Sequence, residues 1–177
     1  MIEIAHATPD DCRHIADIQV RGWQAAYRGI IPDDFLDRLD PAGRVGVWRM
    51  FVESRKGKML ISRRGPDING FCHLIPSRDE DSDGIAEIAA IYIDPDHLRH
   101  GYGRQLCEKA FTLAARQGYR SLTLWVLTEN RRGRAFYEAM GMLPDGATKE
   151  VDRPGFTLRE TRYRIDLPPP HPPRRAI

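Results

Sequence analysis

Between Ala86 and Arg104 the chain reads Ala-Glu-Ile-Ala-Ala-Ile-Tyr-Ile-Asp-Pro-Asp-His-Leu-Arg-His-Gly-Tyr-Gly-Arg, and this stretch constrains the fold more than any other. An apolar strand runs through Ile93 and stops at Asp94-Pro95, where proline removes a backbone donor. A basic turn with glycine at 101 and 103 follows and opens a helix. The first turn of a helix leaves its N–H groups without intrahelical partners, at the positive end of the macrodipole. Glycine lets main chain close on an anion with no Cβ between them. Strand, glycine-spaced turn and helix together predict a diphosphate cradle.

Two common phosphate loops do not fit. A nucleoside-triphosphate loop requires Gly-x-x-x-x-Gly-Lys-Ser/Thr, and no lysine follows these glycines. A dinucleotide fingerprint requires a third glycine or alanine three residues after the second, where Leu106 stands. The region after the helix decides the matter. Past Gly118 comes a strand-like run, Ser121 to Leu127, then Thr128-Glu129-Asn130 and a short helix ending Ala135-Phe136-Tyr137-Glu138-Ala139-Met140-Gly141-Met142.

These two segments resemble the GNAT superfamily of acetyl-CoA-dependent N-acetyltransferases. That family's cradle reads Gln/Arg-x-x-Gly-x-Gly/Ala, matched here by Gly101 and Gly103, with Leu98 in the first slot and Arg99 beside it. Its later element, Asn-x-x-Ala/Gly-x-x-Phe-Tyr-Glu-x-x-Gly-Phe, is matched by Asn130, Gly133, Phe136, Tyr137, Glu138 and Gly141. The resemblance is close over residues 85 to 142. It is looser at Gly22-Trp23-Gln24-Ala25-Ala26-Tyr27-Arg28-Gly29, which is similar to the end of the first helix in small bacterial members.

A chain of 177 residues is long enough for one core without disulfide or metal staples. A net charge of +2 argues against nucleic acid or an anionic membrane as partner. The three cysteines, Cys12, Cys72 and Cys107, form no Cys-x-x-Cys pair and read as small buried residues. With no leader and no apolar run of membrane-spanning length, the expected compartment is the cytoplasm.

Periodicity predicts a strand over residues 2–6, then a helix capped by Thr8 with Pro9 in its first turn. A second helix is expected from Asp33, interrupted at Asp40-Pro41 and resumed through Val52. Strands are expected over 58–63 and 68–76, joined at Gly65-Pro66-Asp67, then over 85–93, 121–127, 142–151 and 156–165. Another helix should span about 102 to 117. The fold class is therefore mixed α/β (α+β). The resemblance implies a GNAT fold: a six- to seven-stranded, mostly antiparallel sheet, about four helices, and a parallel strand–helix–strand crossover that binds the cofactor. Residues 1–166 should form one domain, and the proline-rich 167–177 a disordered tail.

The same resemblance implies an acyltransferase that moves an acetyl group from acetyl-CoA to a primary amine in a ternary complex. The backbone around Arg99, His100, Gly101, Tyr102, Gly103 and Arg104 would hold the pyrophosphate, and the main chain of Ile91, Tyr92 and Ile93 the pantetheine arm. Asn130 would bond the pantetheine or nearby groups. One of Arg131, Arg132 or Arg134 would reach the ribose phosphate, the sequence not deciding which, and Arg132 counts among the expected cofactor-binding residues. Tyr137 is expected as general acid, since a phenol of reference pKa near 10 can protonate a thiolate whose thiol titrates near 8.5. Glu87 is the candidate base, directly or through water, because an amine of reference pKa about 10.4 arrives protonated. Trp23 and Tyr27 should flank the acceptor, a small molecule or peptide. His97 and His100 with Asp94 and Asp96 read as turn residues, and no metal is expected. Small members of the family are often homodimers. The alternative is a non-catalytic acyl-CoA-binding module, which needs neither Tyr137 nor Glu87.

Overall fold

A computed structural model describes residues 1–54 and 56–169. Seven strands form one sheet: β1 (Glu3–His6), β2 (Lys58–Arg64), β3 (Asp67–Pro76), β4 (Ile85–Ile93), β5 (Ser121–Leu127), β6 (Leu143–Arg153) and β7 (Phe156–Asp166). Five helices accompany it: α1 (Cys12–Tyr27), α2 (Asp33–Asp37), α3 (Ala42–Ser54), α4 (Tyr102–Arg116) and α5 (Arg131–Ala139). This is one helix more than expected, because the break at Asp40-Pro41 leaves α2 and α3 as separate pieces. A short 3-10 turn at Pro9–Asp11 precedes α1, where the Asp11 carboxylate reaches back to accept from the Thr8 N–H at 2.7 Å. Thr8 is thus the N-cap of the opening turn, as expected, with Asp11 as its partner.

The strand order is β1-β2-β3-β4-β5-β7-β6, antiparallel at every pairing except β4 with β5. The crossover β4–α4–β5 supplies the parallel pair, as a parallel connection must through a helix. Alternation along the strands gives the sheet two faces. Leu60, Cys72, Leu74, Ala86, Ile88, Leu122 and Leu124 pack with α4 on one, while Met59, Ile61 and Phe71 meet α1 and Trp48 of α3 on the other. A third cluster, Ile31, Leu36, Leu127 and Leu158 with Trp23 and Tyr27, joins the end of α1 and α2 to β5 and β7.

Leu167, expected in the tail, is buried, and its N–H donates to Arg120 O at 2.9 Å, so the folded part extends beyond residue 166. Residues 170–177, the rest of the expected tail, lie outside the described residues. Among the described residues no helix is long and apolar enough to cross a membrane.

His73 of β3 is 6% exposed and stands against Phe51 and Trp48, with ring centroids 5.0 and 6.3 Å away. Burial, helped by the Arg78 charge, pulls its imidazole down to about 4. A histidine depressed in the folded state contributes stability above its unfolded value near 6.5, and that contribution is lost as pH falls from there towards 4. Unfolding free energy should therefore drop by about 2 kcal/mol between pH 7 and pH 5 on this account. Denaturant titrations at both values test it, and His73→Phe should flatten that part of the pH profile.

Candidate functional site

The parallel pairing of β4 and β5 stops early. Ile85, Ala86 and Glu87 face Ser121, Leu122 and Thr123; from Ile88 onward β4 bonds only to β3, and from Leu124 onward β5 bonds only to β7. The two strands part into a wedge. A bulge reinforces this: His73 pairs with Ala90 and Leu74 with Ile88, which leaves Ala89 as the extra residue of β4. Such an insertion increases local twist and re-aims the rest of the strand. The backbone of Ile91, Tyr92 and Ile93 thus presents a bare edge to the wedge, with Ile91 and Ile93 packing towards α4 and Tyr92 towards α1.

The cradle lies at the end of β4. Asp94 accepts from the Asp96 N–H at 3.0 Å, starting a 3-10 turn over Pro95–His97. Arg21 of α1 holds both carboxylates, 3.0 Å from Asp94 and 2.6 Å from Asp96. Arg99 and Gly101 then adopt left-handed backbone, φ +66° and +87°. For Arg99 that conformation costs about 1–2 kcal/mol, which the pinned corner must offset. The first bond of α4 runs from Gln105 N to Gly101 O at 3.1 Å, and no N–H from Leu98 to Arg104 has a protein partner among the described residues. Successive free amides ending on a helix N-terminus form a concave anion receptor, so these residues fit a diphosphate.

Arg99, His100 and Arg104 stand exposed on its rim, whereas the Tyr102 ring turns inward and is 3% exposed, leaving only its backbone for a ligand. Gly103 has a different task from the one its position suggests. A Cβ there would sit 3.3 Å from Phe136 Cζ and 3.5 Å from Ile93 Cγ1, so the missing side chain lets α4 close on α5. The two sequence motifs touch at this point. Among the described residues, no three His, Cys, Asp or Glu side chains are grouped to hold a metal ion, and Asp94 and Asp96 are bound by Arg21.

On α5, Asn130 is the N-cap: its Oδ1 accepts from Gly133 N at 3.0 Å. A Cβ at Gly133 would lie 2.5 Å from Asn130 Nδ2, which explains the spacing Asn-x-x-Gly. Arg134 is committed, donating to Tyr163 Oη and Thr128 O at 3.0 Å each, while Arg131 and Arg132 are exposed. Tyr137 joins the α4-side core beside Phe136 and Tyr163, at centroid distances of 5.3 and 6.2 Å. Burial foremost, then the neighbouring Cys107, Tyr92 and Cys72, raises its phenol well above the ordinary value. Its hydroxyl makes no hydrogen bond among the described residues.

On the opposite side of the wedge, Trp23 Nε1 donates to Tyr92 Oη at 2.9 Å, and Tyr27 Oη lies 3.4 Å from the same oxygen. An indole nitrogen only donates, so one of the two phenolic protons remains without an acceptor in this chain of three. Gly22 permits the arrangement, since a Cβ there would press on Tyr92 Cδ1 at 3.2 Å. A glycine inside a helical pattern is the one local hint of this close approach. Glu87 is 1% exposed at the apex of the wedge. Arg78 takes both its oxygens: the Arg78 backbone N–H and Nε donate to Oε2 at 3.1 and 3.2 Å, and a terminal nitrogen donates to Oε1. Nothing in the local sequence announces this clasp.

A family model described as the acetyltransferase (GNAT) family matches residues 19–142. The uncharacterized N-acetyltransferase YuaI of Bacillus subtilis is 30% identical over 139 residues, which cover 78% of this chain and 79% of that protein. Among solved structures, a GCN5-related N-acetyltransferase from Rhodopseudomonas palustris superposes with a TM-score of 0.76 at 18% identity, over 93% of this chain and 95% of that one. The paia N-acetyltransferase from Thermoplasma acidophilum, in complex with coenzyme A, has a TM-score of 0.69 at 18% identity, over 91% and 98% of the two chains. Wedge, amide cradle and α5 motif agree with these matches, and the chain belongs to the GNAT acetyltransferase family.

Proposed function

We propose that the protein transfers an acetyl group from acetyl-CoA to a primary amine bound on the α1 side of the wedge. The run of unpartnered amides from Leu98 to Arg104, leading into the bare edge of β4, carries this reading. The amides would take the diphosphate, Arg99 and Arg104 adding charge, with exposed Arg132 near the ribose phosphate. The thioester arm would lie along Ile91, Tyr92 and Ile93. The coenzyme A complex of the Thermoplasma relative agrees with that choice of substrate.

The amine nitrogen attacks the thioester carbonyl carbon, a C–N bond forms, and collapse of the tetrahedral intermediate breaks the C–S bond. One proton leaves the amine and one reaches the thiolate. Tyr137 donates the latter. Desolvation raises its phenol, and the same surroundings raise the proton affinity of a departing thiolate, so donor and acceptor remain matched. Arg78 occupies Glu87, so Glu87 acts as base only through a water that relays the amine proton to it. Trp23 and Tyr27 bound the acceptor side.

The test is thiol release from acetyl-CoA over a panel of primary amines, with a binding titration alongside. Release with at least one amine is the expected outcome. Tight binding with no release for any of them overturns the reading in favour of a non-catalytic acyl-CoA-binding protein.

A further inference from the structure

On the α1 side, α1 and α3 lie on β2, β3 and β4, and the sheet beyond the wedge carries a row of side chains set by register. Lys149 of β6 pairs with Glu160 of β7, and Glu160 pairs with Leu127 of β5, the strand that lines the wedge. Directly paired residues point to the same face with Cβ atoms about 5 Å apart. Leu127 in turn packs in the cluster that holds Tyr27 and Trp23, so Glu160 stands one strand back from the wedge, beside the aromatic wall.

Several other carboxylates near the wedge are more firmly held, although Glu129, exposed beside Leu127, makes no ion pair among the described residues. Glu87 is clasped at both oxygens by Arg78, and Asp79, Asp81 and Asp145 converge on Arg162. Glu160 makes a single ion pair, with Lys149 Nζ at 3.3 Å, in which the side chains are 23% and 39% exposed. Lys149 has a second partner in the same arrangement, since its ammonium also lies 4.1 Å from the centre of the Trp125 ring. The Glu160 charge is a minor contribution to the raised Tyr27, Tyr92 and Arg78, whose first cause is burial for the two phenols and the Glu87 hydrogen bond for Arg78.

We infer that Glu160 receives a second, non-reacting ammonium group of the acceptor, and that Lys149 occupies its carboxylate until the acceptor displaces it. The inference rests on the acetyl-transfer reading and names the acceptor-binding residue of that site. The ligand class is a diamine, of which one nitrogen reacts in the wedge while the other, a primary ammonium, replaces the lysine ammonium one for one. A cavity of about 220 Å³ beside Leu127 and Leu158, bounded by Ile30, Glu129 and Arg159, neighbours Glu160 without including it.

The experiment uses the full chain with acetyl-CoA and, as acceptors, 1,5-diaminopentane, phenethylamine and glycine amide, following thiol release. For 1,5-diaminopentane, Glu160→Gln should raise the KM for amine about tenfold or more, because a charge-assisted contact is lost, while the KM of the two monoamines should hardly change. The dissociation constant of acetyl-CoA should stay within about twofold, and Glu160→Asp should restore much of the amine KM. Lys149→Met should shift the amine KM the opposite way, about threefold lower, since the competing cation is gone. Opposite shifts distinguish acceptor binding from a structural ion pair, whose two ends would fail in the same direction. An amine KM unchanged in Glu160→Gln, or raised by both variants, overturns the inference while acetyl transfer stands. No release from the unmodified protein with any of the three amines defeats the acetyl-transfer reading and this inference with it.

Discussion

Arg162→Met is expected to lower the unfolding free energy by about 3–5 kcal/mol at neutral pH, the cost of leaving buried charges uncompensated. The Arg162 side chain is 10% exposed and donates to Asp145 at 2.7 Å, to Asp79 at 3.0 Å and to Asp81 at 2.7 and 2.8 Å. It ties the β3–β4 connection and the start of β6 to β7, with Trp125 Nε1 adding two contacts of 3.2 Å to Asp79. Two of the three carboxylates are themselves mostly buried, at 18% and 15% exposure for Asp79 and Asp145. Removing the cation strands them. Arg162→Lys, which keeps the charge and loses the fork, should recover only part of the loss.

The pH dependence of that deficit has a definite sign. The guanidinium of Arg162 holds the Asp81 carboxyl below its ordinary range, so the stabilisation is complete above the unfolded carboxyl value near 3.8 and fades as pH drops through the lower folded value. The gap between variant and parent should therefore narrow below about pH 4. Denaturant midpoints measured at pH 7 and near pH 3 decide it. A variant as stable as the parent at pH 7 would show that the cluster contributes nothing net.

Tyr137→Phe should reduce kcat by about a hundredfold or more, the usual scale of a lost proton donor. Acetyl-CoA binding and thermal stability should hardly move. The reason is structural: the ring packs against Phe136 and Tyr163, while the hydroxyl bonds to no described residue, so deleting the oxygen removes no internal contact. A large loss of turnover at constant affinity is the signature of an interaction made only in the transition state. An unchanged kcat would remove Tyr137 from the chemistry, whereas weakened acetyl-CoA binding would reassign it to holding the substrate.

Local chemistry carried much of the architecture. Asp94-Pro95, the left-handed glycine at 101 and the Asn130 cap are short-range signals, and each marks a turn or terminus in the fold. The helical stripe Leu106, Ala110 and Ala114 of α4 is buried, as its spacing requires. The features that escaped reading join distant residues. Arg162 and Asp79 are 83 positions apart, and no window of sequence contains both. The clasp of Arg78 on Glu87 depends on how the loop before β4 folds back, and the Ala89 bulge depends on registry with β3. Gly103 was legible as a glycine that matters, but the ring of Phe136 that needs its bare Cα belongs to another helix.

The placement of β7 between β5 and β6 has a consequence for biosynthesis. While the chain emerges from the ribosome, everything through α5 can collapse, yet β5 keeps one flank bare until the final strand, ending at Asp166, has been translated. A naked strand flank invites pairing with another nascent copy. Premature termination anywhere within β7 should therefore yield sticky, self-associating fragments.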